Sequence, residues 1–338
     1  MKIIDAWTHI TPPGYFDRIS QLKVPRVQTE VSRMRPIQES KPHFTNKHKR
    51  IEDLDRYSFA MQVTMIQPNL DPTSLDLTNE QELELAKLAN DELAQIMDSS
   101  NGRIFALGVV PLNATDDRYV EEMRRAIRDL GLKGFMVMTN LKGTPVDQFE
   151  PLWAEAERLG AVVYLHPVDP VNFVGRPYED QYDLAHVFGW PFETSLVLPR
   201  LIFSGIMEKY PTLKIVAHHL GGMIPFFSGR IRESYSERAS SSRMAEEKAG
   251  LRKRLSKPVW EYFKQFYYDT AVASASAIKC GFENFSSKNL VFSTDYPWGE
   301  DGGRARLASY PKLIQDLNLP PQEQSEIFEE NIRRLIKI

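Results

Sequence analysis

One cysteine, Cys280, stands in the 338 residues. A lone thiol excludes an intrachain disulfide framework and any zinc site built from several cysteines. Scarcity of cysteine fits a reducing cytoplasm, which is the expected location. No run of 18 or more apolar residues occurs, so no membrane-spanning helix is expected. The N-terminus enters a strand-like run at once, without the basic leader and apolar core of a secretory signal. Charge of one sign is also missing. A formal net charge of −3 gives no footprint for nucleic acid or for an anionic membrane surface. No G-x-G-x-x-G turn follows the first strand, so an open doubly wound sheet with a dinucleotide site has no support.

What the chain does contain is an alternation of strand-like and helix-like runs. Eight strand candidates can be read: 3–9, 63–68, 105–111, 133–139, 161–166, 214–218, 265–270 and 290–295. Helices are expected at 79–99, 116–130, 147–159, 195–210 and 320–338, from apolar residues at helical spacing and from Gly131 and Gly160 as stops. Continuous Val/Ile/Leu runs mark parallel strands buried on both faces. Eight of them joined by crossovers predict an α/β fold, a TIM (β/α)8 barrel, as a single domain over 1–338. Two insertions interrupt the rhythm. A proline-rich, charged segment from Thr11 to about Arg50 reads as irregular and lies over the barrel mouth. A charged, serine-containing stretch from 232 to 257 follows the sixth strand.

Four strand candidates end on groups that bind metals or move protons: His9, His166, His218-His219 and Asp295. Active residues of such barrels sit at strand C-terminal ends. One histidine at one strand end is best read as a hydrogen-bonded core residue. Several at corresponding ends favour a site, and neutral imidazoles with a carboxylate suit a divalent metal. His218 and His219 are neighbours on a strand, so only one is expected to face inward. His43 and His48 lie in the charged excursion and read as exposed loop histidines.

These residues resemble the metal-dependent decarboxylases of the amidohydrolase superfamily, the amidohydrolase-2 group. That group includes aminocarboxymuconate semialdehyde decarboxylase and γ-resorcylate decarboxylase. The resemblance rests on Ile4-Asp-Ala-Trp-Thr-His9, Tyr164-Leu-His-Pro167, Gly189-Trp-Pro-Phe-Glu-Thr-Ser195, the block from Arg200 to Lys214, Ala217-His-His-Leu-Gly-Gly-Met-Ile-Pro225 and Ser293-Thr-Asp-Tyr-Pro297. It implies metal ligands at His9, His166 and Asp295, and catalytic roles for His219 and Asp295. It makes His218 a packing partner. It places Trp7, His186, Trp190 and Arg230 around the substrate, with Arg230 reaching a neighbouring subunit of a homodimer or higher homo-oligomer. Trp7 departs from the group's pattern. It stands where the group has a second first-strand ligand, and an indole nitrogen only donates. The fourth strand offers no lysine for a carbamylated bridge, so one divalent metal ion is expected, zinc with manganese as the alternative.

The activity implied is non-oxidative decarboxylation of a small aromatic or unsaturated carboxylic acid. Two other readings use the same residues. One is a metal-dependent hydrolase or hydratase. The other is a metal-free, non-catalytic binding barrel, which loss of a ligand at Trp7 would produce.

Overall fold

The computed structural model describes residues 2–113, 117–168, 182–236, 250–251 and 253–338. Its frame is eight parallel strand positions. They are β1 (Ile3–Ile10), β2 (Phe59–Ile66), β3 (two pieces, Ile104–Ala106 and Gly108–Val109), β4 (Gly134–Met138), β5 (Val162–His166), β6 (Lys214–Ala217), β7 (Tyr267–Asp269) and β8 (Leu290–Val291). Each pairs in parallel with the next in sequence. Two bonds carry the sheet across the break in β3: Leu107 N–H to the Thr64 carbonyl at 2.9 Å, and Lys133 N–H to the Ala106 carbonyl at 3.0 Å. The last gap is closed by backbone following β8. Ala6 N–H donates to Phe292 O at 2.8 Å, Asp295 N–H to Trp7 O at 3.1 Å, and His9 N–H to Tyr296 O at 2.7 Å. The expected barrel is therefore the observed architecture.

The strands form because their side chains are apolar on both faces. β4 and β5 are buried throughout, as parallel strands between a filled barrel and surrounding helices must be. Helix α4 (Asn79–Asp98) begins with a capping box between Thr78 and Gln81 and buries Leu85, Ala86, Ala89 and Leu93. Helix α5 (Arg118–Arg128) follows β3, and helix α6 (Glu150–Leu159) stops at Gly160, whose φ of 59° suits a residue without Cβ.

Several expectations need correction. The segment after β1 is helical, with α1 (Pro13–Ser20), α2 (Pro25–Ser40) and α3 (Lys47–Arg56). Pro13 and Pro25 occupy first-turn positions of α1 and α2, where the missing N–H costs no helical bond, while Pro36 lies inside α2. The helix expected at 195–210 begins earlier, as α7 (Trp190–Phe203), and breaks before Ile206–Lys209 at Gly205, φ 90°. The start of the helix expected at 116, the loop around Pro170, Gly175 and Pro177, and most of the charged stretch after β6 lie outside the described residues. No helix among the described residues is long and apolar enough to cross a membrane.

Candidate active site

The site grows from alternation on β1. Trp7 and His9 share one face of the strand and Thr8 takes the other, past a register irregularity between Asp5 and Thr8. His9 directs Nδ1 at the carbonyl oxygen of Ile66, 3.0 Å away. A carbonyl only accepts, so the proton sits on Nδ1 and Nε2 carries the lone pair. His166 ends β5 and spends its Nδ1 on the Pro167 carbonyl at 2.6 Å. His218 follows β6, and its Nδ1 is held by Asp269 at the end of β7. Three buried imidazoles thus have one nitrogen fixed by an oxygen acceptor and the other turned inward. Metal-binding histidines are oriented this way.

Asp295 completes the group. Its Oδ1 lies 3.3 Å from His9 Nε2 and 3.9 Å from His218 Nε2. Its Oδ2 accepts from Arg306 at 3.0 Å. Burial alone would raise this carboxyl. The neighbouring His9, His218 and Arg306 outweigh that effect and hold it well below the usual carboxylate range. Burial, reinforced by neighbouring His218 and His9, pushes His166 well below its ordinary value, and burial followed by His218 does the same to His219. Neutral imidazoles beside an ionised carboxylate are the protonation states a cation requires. Ligand atoms of His9, His166 and His218 lie within 4.8 Å of one another, as do those of His218, His219 and Asp295. The donor set therefore fits one divalent cation.

The strand-alternation argument fails at His218-His219. β6 ends at Ala217. His218 is still extended (φ −71°, ψ 157°), but His219 and Leu220 turn left-handed, at φ 50° and 58°. The turn brings both rings to the cluster, with centroids 3.6 Å apart. His218 is thus part of the imidazole group, beyond the packing role expected of it. His219 Nδ1 is buried with no hydrogen-bond partner among the described residues. The following Gly-Gly is sterically required, since a Cβ on Gly222 would lie 2.3 Å from the Pro191 carbonyl oxygen. Asp295 is left-handed too, at φ 60°. Such backbone concentrates at working sites.

Trp7 has no exposed surface. Its ring stacks on His218 at 4.0 Å and 5°, and lies 4.8 Å from Tyr164. Its indole N–H reaches His9 Nε2 at 3.2 Å. Trp190 meets His166 edge-on at 5.2 Å and His186 at 4.6 Å. His186 is exposed and pairs with Asp183. Arg230 is exposed on the helix Ser228–Ser234, which follows the Gly-Gly turn. His43, expected to be exposed, is buried. It lies 3.4 Å from Asp53 and 3.0 Å from Arg304, because the excursion that carries it folds back on the barrel as helices. His48 is exposed as expected.

Sequence reasoning missed Asp269 and Arg306. Asp269 ends an aromatic strand as Asp295 ends an apolar one, so the same signal applied to Tyr267-Tyr-Asp269 would have found it. Arg306 sits in helix 304–315 and carries no local signal.

The sequence model of Amidohydro_2, described as amidohydrolase, matches residues 4–338. The 2-amino-3-carboxymuconate-6-semialdehyde decarboxylase of Dictyostelium discoideum is 31% identical over 251 residues, covering 74% of this chain and 66%, just under two thirds, of that protein. A γ-resorcylate decarboxylase of a Rhizobium species is 28% identical, over 76% of this chain and 77% of its own. Among solved structures, a 5-carboxyvanillate decarboxylase from Novosphingobium aromaticivorans, complexed with manganese and 4-hydroxy-3-methoxy-5-nitrobenzoic acid, superposes with a TM-score of 0.79. It covers 100% of this chain and 96% of that one at 20% identity.

Proposed function

The chain belongs to the Amidohydro_2 family of amidohydrolases, and from that premise we propose that it is a metal-dependent, non-oxidative decarboxylase of a small aromatic or unsaturated carboxylic acid. The observation that carries the reading is the meeting of His9, His166, His218 and Asp295 donor atoms at adjoining strand ends. These four residues are the candidates to hold one divalent ion. Zinc suits an imidazole-rich set with an open position, and manganese is the ion in the 5-carboxyvanillate relative. Bound there, the ion supplies Lewis acidity toward a substrate oxygen.

The chain's own groups handle the proton. Decarboxylation breaks the bond between the carboxylate carbon and the ring or alkene carbon, and that second carbon takes a proton in exchange for CO2. Asp295, held ionised, and His219, held neutral with a free Nδ1, are the two groups able to collect and deliver it. Trp190 and His186 offer aromatic surface beside His166 for a flat acid. Arg230 projects from an exposed helix beside Phe226 and Phe227, which are 78% and 40% exposed, a face suited to a second copy in a homodimer or higher homo-oligomer. The lone half-buried thiol accords with a cytoplasmic setting. The test is CO2 release from a panel of hydroxybenzoates and related acids by protein loaded with zinc or manganese. His166→Ala should lower turnover at least ~10³-fold. Hydrolysis of a lactone or amide with every acid left intact would reject the decarboxylase.

A further inference from the structure

Four side chains compete for what a three-residue metal site needs, and Trp7 decides between them. The imidazole Nε2 has one lone pair, lying in the ring plane. At His9 it accepts the indole N–H of Trp7 at 3.2 Å, while Nδ1 is committed to Ile66. A lone pair that accepts a hydrogen bond cannot also ligate a cation. At His218 the same indole acts differently. It lies parallel to the ring at 4.0 Å, so it covers the π face and leaves the in-plane lone pair open. That lone pair faces Asp295 Oδ1 at 3.9 Å, with Nδ1 anchored by Asp269. His166 is equally free, with Nδ1 spent on Pro167.

We propose that Trp7 closes the first-strand ligand position by capping His9, and that the metal ligands of this chain are His166, His218 and Asp295. The first strand then contributes no ligand. His9 then acts as a positioning residue, with Nε2 3.3 Å from Asp295 Oδ1, and the ends of β5, β6 and β8 would hold the ion. The inference rests on the metal-dependent reading above and redistributes its ligands. Trp7 is held in the capping pose by its stack on His218 and its contact with Tyr164, and it has no surface through which to swing outward.

Metal affinity separates the possibilities without any turnover. Zinc affinity would be measured by competition with a chromogenic chelator, and the visible spectrum of the cobalt(II) form recorded, for the full-length protein and its variants. His9→Ala should change zinc affinity by less than about threefold and leave the cobalt spectrum in place. His218→Ala should weaken zinc at least 100-fold. Trp7→Phe, which keeps an aromatic ring and deletes the N–H, should tighten zinc about tenfold by releasing His9 Nε2. If Trp7→Phe does not fold, the two histidine variants still decide. Loss of metal from His9→Ala as complete as that from His218→Ala overturns the proposal, as does retention of metal by His218→Ala or failure of the wild type to bind either ion. The decarboxylase reading fails separately, when metal-loaded protein releases no CO2.

Discussion

The two faces of β1 treat polar groups in opposite ways. On one face Arg50 is fully buried and donates to five acceptors: the His9 and His43 carbonyls at 2.6 and 3.0 Å, Thr8 Oγ1 at 2.9 Å, Gln62 Oε1 at 2.8 Å and Thr64 Oγ1 at 3.4 Å. Tyr296 lies against its guanidinium at 4.8 Å. There most donors and acceptors are paired, with Arg50 Nε, Gln62 Nε2 and His43 Nδ1 the ones left over among the described residues. On the other face Trp7 stacks on His218 and His9 meets Asp295, and lone pairs are left over. Buried polar groups that serve stability find partners among themselves. Buried groups that hold a ligand must keep some capacity back. A cluster with one nitrogen fixed and one bare is thus a better mark of function than a cluster of charges.

The comparison breaks first at Arg50. Arg50→Met leaves several buried acceptors dry, and unfolding in urea should show a loss of about 3–5 kcal/mol. A loss below about 1 kcal/mol would mean that the network is not what holds the excursion to the barrel. The ligand face sharpens next through Asp269→Asn. An amide offers its N–H₂ to His218 Nδ1 and favours the tautomer whose Nε2 is protonated. Zinc affinity should fall about 10–100-fold with the thermal midpoint little changed. An unchanged affinity would show that His218 Nε2 needs no orientation.

The last test concerns Asp5, also buried on β1. Burial pushes its carboxyl up from 3.8 to about 7, against hydrogen bonds from Thr294 and Trp7 that pull it down. A carboxyl whose folded value is raised binds its proton more tightly folded than unfolded. Its contribution to stability is complete below about pH 4 and is lost as pH rises through about 7, at roughly 1.4 kcal/mol per pH unit in between. Wild-type stability relative to Asp5→Asn should therefore fall from pH 4 to pH 7. A difference that is flat or rising with pH would place a charge on Asp5 in the folded state.

Much of this was legible in the sequence. Parallel strands announce themselves as apolar runs, and His9, His166 and Asp295 stand out because each terminates one. The excursion after β1 was misread because its prolines looked like breakers, whereas Pro13 and Pro25 start helices and Pro36 is carried inside one. Arg50 and His43 were invisible in a charged segment, since nothing local says that a charge will turn inward. Asp269 was overlooked because only three residues of its strand are regular. His218 was misassigned because alternation holds only while the backbone stays extended, and the left-handed turn at His219 ends it. No pattern in a single sequence reveals that an indole N–H will meet one particular lone pair.

The bonds that join residues 292–296 to β1 also fix when the site can exist. Asp295 reaches His9 across nearly the whole chain, and Thr294 reaches Asp5 from 289 positions away. A chain still under synthesis can form β1 through β7, including both free imidazoles, yet lacks the carboxylate that completes the set. The ends are already close, with Lys2 N–H 3.0 Å from Glu329 Oε2. Joining them and opening the ring elsewhere would bring His9 and Asp295 within a short stretch of sequence. Such a permuted chain would assemble its metal site early and its barrel late, the reverse of the native order.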